Sequence, residues 1–91
     1  MAKRMFLLLE TAVSKDEVTV NALKQIEGVK SADRVTGPYD VIAVLEGEDL
    51  IDIGDLEARI IKLIPYISRA VTCISLSWPI ESTIPSPAPR K

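Results

Sequence analysis

Val41-Ile42-Ala43-Val44-Leu45 is apolar at every position. A strand sends alternate side chains to opposite faces, so such a run asks for cover on both sides. Arg4 to Thr11, RMFLLLET, makes the same demand, with Met5, Leu7 and Leu9 on one side and Phe6 and Leu8 on the other. So does the last apolar stretch, where Ala70, Thr72, Ile74 and Leu76 alternate with Val71 and Cys73. A chain of 91 residues is one domain. A domain of this size buries only about 60–65% of its unfolded surface.

Turn and cap signals order the rest of the chain. The first strand is expected over residues 4–11, because a helix needs a longer run. Ser14-Lys15-Asp16-Glu17 is a capping-box pattern, with Ser14 accepting from the Glu17 amide and Glu17 reaching back. Val18, Ala22, Leu23 and Ile26 then share a helical face, and Gly28 is placed to end that helix, expected over 15–27. Val29 to Thr36 reads as the second strand, Gly37-Pro38 as a short hairpin turn, and Tyr39 to Gly47 as the third strand. Asp49 is positioned to cap a second helix over 50–64, with Asp52 in its first turn. Its stripe is Ile53, Leu56, Ile60, Ile61 and Ile64, and Gly54 inside it costs roughly 1 kcal/mol against alanine. Ile67 to Trp78 reads as the fourth strand, stopped by Pro79, which cannot donate to a ladder. Residues 1–78 form the domain, and the Pro- and Ser-rich segment 79–91 reads as a flexible or extended tail.

The order β-α-β-β-α-β is the ferredoxin-like, α+β plan: a four-stranded antiparallel sheet with two helices on one face. Two helices cannot also cover the second face. An apolar sheet face left open would exceed the few hundred Å² that monomers commonly expose. The expected cover is a second copy of the chain, packed face to face about a two-fold axis.

Composition excludes several functions. The chain has no histidine and one cysteine, Cys73, which removes the commonest general base and leaves no zinc ligand set. Cys73 reads as a small buried hydrophobe in a reducing, cytoplasmic setting. A formal net charge of -2 gives no general pull toward nucleic acid, and 4% aromatics supply no stacking platform. Lys3-Arg4 and Arg90-Lys91 read as solvated terminal charges, and Glu46, Glu48, Asp49, Asp52, Asp55 and Glu57 as capping and a solvated face rather than a cation site. The five apolar residues from Met5 fall short of the about 7–15 of a secretory signal. No run approaches the roughly 20 residues of a membrane span.

The turn Val35-Thr36-Gly37-Pro38-Tyr39-Asp40 carries chemistry that a chain reversal alone does not need. A free amino acid presents a carboxylate that seeks backbone N–H donors, and glycine lets the main chain approach it. Its ammonium seeks a carboxylate, which Asp40 can supply, and Tyr39 can wall an apolar side chain. The plainer readings are a conformational Gly-Pro turn and an aspartate bonded to a nearby amide.

That turn, the apolar strand after it, Asp49-Leu50, the helix ending in Ile64-Pro65, Glu27-Gly28-Val29 and Thr72 together resemble the effector-binding (RAM) domain of Lrp/AsnC transcription regulators over about residues 3–78. The chain looks like the stand-alone form, without the helix-turn-helix domain. The resemblance implies dimers formed through the sheet, joined into octameric or decameric rings. It implies an amino-acid-like effector at the turn, with Thr36, Gly37, Pro38, Tyr39, Asp40 and Thr72 as site residues. No cofactor, catalysis or direct DNA binding is expected, and full-length Lrp/AsnC regulators are possible partners. Tyr66 stands where the family often has glycine. Ferredoxin-like enzymes and ACT-type regulatory domains are the alternatives. The chain lacks an acylphosphatase loop, a CxxC pair, and a glycine in Thr11-Ala12-Val13-Ser14 where an ACT site expects one.

Overall fold

A computed structural model describes residues 3–76 of the protein. The described chain runs β1 (Lys3–Thr11), α1 (Asp16–Lys24), β2 (Val29–Arg34), β3 (Val41–Gly47), α2 (Leu50–Leu63) and β4 (Ile67–Ile74). The last residues expected in the fourth strand, its stop at Pro79, and the tail 79–91 lie outside the described residues. The strands form one antiparallel sheet in the order β2-β3-β1-β4. This is the ferredoxin-like arrangement that the order of elements requires.

One face of the sheet makes the core. Met5, Leu7 and Leu9 from β1, Ala32 from β2, and Val41, Ala43 and Leu45 from β3 pack with Val20 and Leu23 of α1 and Ile53, Leu56 and Ile60 of α2. Leu7 lies opposite Ala43, and Leu9 opposite Val41. The small alanine beside the larger leucines leaves room for side chains of the helix layer.

α2 begins as its sequence dictates. Asp49 is extended, and its Oδ1 accepts from the Asp52 amide at 2.9 Å. α1 does not begin as expected. Ser14 adopts a positive φ of 65°, in a turn closed by the Lys15 amide donating to the Ala12 carbonyl. The helix therefore starts after Lys15, with no side-chain cap. The Glu17 amide is met by Asp16 Oδ1 at 3.0 Å rather than by Ser14. The buried face also shifts. Thr19, Val20 and Leu23 point inward, Ala22 and Ile26 pack at the margin, and Val18 is exposed. Thr19 is fully buried because its hydroxyl donates to the Lys15 carbonyl at 2.7 Å, which satisfies it locally.

α1 also ends earlier than expected. The Gln25 and Ile26 amides donate to Ala22 and Leu23, and these tightened bonds close its last turn. Gly28 then takes φ +100°, and a Cβ there would stand 2.7 Å from Leu56 Cδ2 of α2. Both conformation and close approach demand glycine. Gly28→Ala is expected to destabilise the domain by about 1–3 kcal/mol. Equilibrium urea unfolding checks this, and an unchanged midpoint would show that the contact is not needed.

Candidate functional site

The expected two-residue hairpin turn is a longer loop. β2 stops at Arg34 and β3 starts at Val41. The Val35 amide donates to the Asp40 carbonyl at 2.9 Å, so the segment between them closes on itself outside the ladder. Gly37 sits near its tip with φ +117°, and a Cβ there would meet nothing within 4 Å. Thr36, Gly37 and Pro38 are exposed, and Tyr39 and Asp40 are half-buried.

Asp40 fastens this loop to the centre of the sheet. Its amide donates to the Leu9 carbonyl at 2.8 Å, and its Oδ2 accepts from the Thr11 amide at 2.9 Å. Leu9 opposite Val41 is the last pair between β1 and β3, and the register between β1 and β4 shifts at Glu10/Thr11. The Thr11 amide thus runs past the end of its ladder, and a carboxylate takes the place of a strand carbonyl. Hydrogen bonds to charged groups are worth about 1.5–3 kcal/mol. Of the two roles open to Asp40, the structure displays the brace.

Thr72 is not brought to this loop within one chain. It stands opposite Leu7 in β4, exposed, and β1 separates its strand from β3. Tyr66, the departure from the family pattern, packs against the core. Its carbonyl accepts from the Ala12 amide at 2.9 Å, and Lys15 Nζ lies 4.8 Å from its ring centre.

The face of the sheet away from the helices carries Phe6 and Leu8 of β1, Ile42 and Val44 of β3, and Val71 and Cys73 of β4. Phe6 pairs with Val44 and Cys73, and Leu8 with Ile42 and Val71. Charged pairs bound this apolar centre at both ends. Arg4 Nη2 lies 3.0 Å from Glu46 Oε2, with Lys30 Nζ 3.9 Å from Oε1, and Arg69 Nη1 lies 3.4 Å from Glu10 Oε2. Arg4 is therefore ion-paired, not a free solubilising charge. Cys73 is exposed rather than buried, because β4 is an edge strand and this face is uncovered in a single chain.

Two adjoining clefts, about 430 and 330 Å³, lie at the other end of β3 from the loop. They share Glu27, Gly28 and Glu46, and the larger also takes in Asp52, Asp55 and Arg59 of α2. Sequence reasoning gave Glu27 and Arg59 no part in any site. Gly28 was legible as a helix stop and as part of the family resemblance, but not as a residue lining a cleft. Among the described residues, no group of three or more acidic or thiol side chains is gathered to hold a metal ion. Among them too, no helix is long and apolar enough to cross a membrane.

The family model of the Lrp/AsnC ligand binding domain matches residues 5–85. The chain belongs to this family. A search of curated proteins found no match. Among solved structures, the hypothetical protein PHS023 from Pyrococcus horikoshii is 30% identical, with TM-score 0.76, covering 84% of this chain and 90% of that one. E. coli AsnC shares the fold at 20% identity and TM-score 0.77, over 90% of this chain and 56% of its own. A Neisseria meningitidis transcriptional regulator, NMB0573, solved as an L-Met complex, shares it at 16% identity and TM-score 0.71, over 89% of this chain and 54% of its own. The Lrp/AsnC domain is a regulatory, ligand-binding type.

The brace makes its own prediction. Asp40→Ala leaves the Thr11 amide without its acceptor and should cost about 1–3 kcal/mol. Asp40→Asn keeps an acceptor oxygen and should cost less. Hydrogen exchange at the Thr11 amide reads the bond directly, and equal protection in wild type and Asp40→Ala would remove the brace.

Proposed function

We propose that this Lrp/AsnC domain is a non-catalytic sensor whose effector, an amino acid or a close analogue, binds at the β2–β3 loop of an oligomer. The observation that carries this reading is the Asp40 clamp. It ties the loop to β1 through two hydrogen bonds while Thr36, Gly37 and Pro38 stay exposed. A loop ordered before binding loses little entropy when a ligand arrives. Gly37 leaves its backbone open to an effector carboxylate. Tyr39 provides an apolar wall with a polar edge. Asp40 orients the loop through Oδ2 and offers its charge to the effector ammonium. Thr72 joins this site only across a boundary between copies. The Neisseria regulator solved with L-Met supports amino acids as the first class to test.

The oligomer in this proposal is built on the open sheet face. Phe6, Leu8, Ile42, Val44 and Val71 pair with their counterparts in a second copy, and the ion pairs stay at the rim. Such dimers assemble into an octameric or decameric ring. Acting in the cytoplasm, the module influences transcription or metabolism indirectly, by assembling with full-length Lrp/AsnC regulators.

Two measurements test this. Thermal melting with each of the twenty amino acids at millimolar concentration should single out one or a few. An effector at 100 times its dissociation constant adds about 2.7 kcal/mol. Gly37→Val should abolish that shift without changing the mass of the assembly. A panel with no shift from any amino acid would overturn the effector class. For the oligomer, Phe6→Lys buries a charge in the proposed interface, and sedimentation should show the sheet-paired dimer lost. An unchanged mass would overturn sheet pairing.

A further inference from the structure

The helix layer is narrower than the sheet. α1 packs over β2 and β3, and α2 over β3 and β1. β4 lies past them, at the edge of the sheet. Ala70, Thr72 and Ile74 stand opposite Leu9, Leu7 and Met5, so they share the helix side of the sheet with them. Met5, Leu7 and Leu9 are buried, yet Thr72 is exposed and Ile74 is 41% exposed. The helix side of β4 is therefore the floor of an open trough.

α2 supplies the wall. Its Asp52, Asp55 and Arg59 line the cleft shared with Glu27 and Gly28, which turns that flank toward the start of β2. Leu50, Gly54, Glu57 and Ile61 are spaced three and four residues apart and share the opposite flank, on the β4 side. Leu50 is 49% exposed and Ile61, expected in the buried stripe, 41%. A Cβ on Gly54 would meet nothing within 4 Å, and half-buried Glu57 is the one charge among the four.

The chain itself arrives at this trough. The Ser75 amide donates to the Arg4 carbonyl, so β4 runs out beside the start of β1, at the end of the sheet where β3 gives way to α2. Leu76 is 98% exposed there. Ser77-Trp78-Pro79-Ile80-Glu81-Ser82-Thr83-Ile84-Pro85 follows. In an extended run Trp78, Ile80 and Ile84 share one side, and Glu81 points to the other. Pro79 and Pro85 have no amide for a ladder, so such a segment attaches by its side chains rather than by adding a strand. From Leu50 to Ile61 the helix wall is about 16 Å long. Residues 77–84 can span up to about 26 Å, enough to turn back at the mouth of the trough and run its length.

We propose that the trough between α2 and β4 is a docking site for the chain's own residues 77–84, with Trp78, Ile80 and Ile84 set against Leu50, Ile61 and Ile74. Covering an edge strand with a following segment also guards it against pairing with other chains. Docked there, the segment covers Thr72 and withholds it from a neighbouring copy. The docking depends on neither the effector nor the sheet pairing proposed above.

Trp78 is the only tryptophan, so tryptophan fluorescence of the full chain reports on this segment alone. Its emission should be blue-shifted, and acrylamide should quench it several-fold less than in the urea-unfolded chain. Ile61→Lys and Leu50→Lys change half-open positions, so far-UV circular dichroism should stay native. In both, quenching should rise toward the unfolded value, while Phe6→Lys should leave the protection in place. Quenching in the native wild type as strong as in urea would overturn the docking. So would protection that survives both α2 variants. Protection lost in Phe6→Lys would put the segment on the open sheet face instead, and protection lost on dilution would assign it to another copy.

Discussion

β1 is the strand on which the rest of the structure depends. It lies inside the sheet, paired with β3 on one side and β4 on the other, and it is apolar on both faces. Met5, Leu7 and Leu9 fill the core beneath the helices, while Phe6 and Leu8 face away from them. A strand of this kind cannot be satisfied by one layer of helices. The helices serve the inner face, and Phe6 and Leu8 remain at a half-covered surface. Burial is worth about 25 cal/mol per Å² of apolar surface, and the second face leaves that contribution unrealised in a single chain.

The ends of the sheet are finished differently. At one end the ladder between β1 and β3 runs out at Leu9, and Asp40 continues it with a side chain in place of a backbone carbonyl. That substitution releases the preceding residues from strand geometry and still fixes their position. At the other end, the Glu46 amide donates to the Gly28 carbonyl, and Gly28 brings the α1–β2 connection against Leu56. One end is an exposed loop tied to β1 through Asp40. The other is a closely packed joint with a charged cleft beside it.

The element order was legible because each element carries a local signal: continuous apolar runs, the Asp49 cap, and the glycines at Gly28 and Gly37. The errors share a cause. Ser14 forms part of a capping-box pattern, but the turn closed by Lys15 and Ala12 places it at positive φ, where it cannot serve. Val18 fits a helical stripe as well as Thr19 does, yet Thr19 is buried because its hydroxyl finds the Lys15 carbonyl. Cys73 looked like a core residue because its strand is apolar, but edge position leaves it exposed. In the candidate site, the turn was legible, but the Thr11 amide that donates to Asp40 was not, because the two lie far apart in the chain.

By itself, the sequence determined the ferredoxin-like order of strands and helices and the apolar character of both strand faces. Those follow from backbone periodicity, which is a property of neighbouring residues. Tertiary structure alone decided which side of each element faces the core. α2 has two apolar lines, and periodicity cannot rank them. Contact with Gly28 and the core turns Leu56, Ile53 and Ile60 inward and leaves Ile51, Gly54, Ala58 and Ile61 facing out. It also decided that Asp40 binds Thr11, since only the shifted end of β1 brings that unpaired amide to the carboxylate.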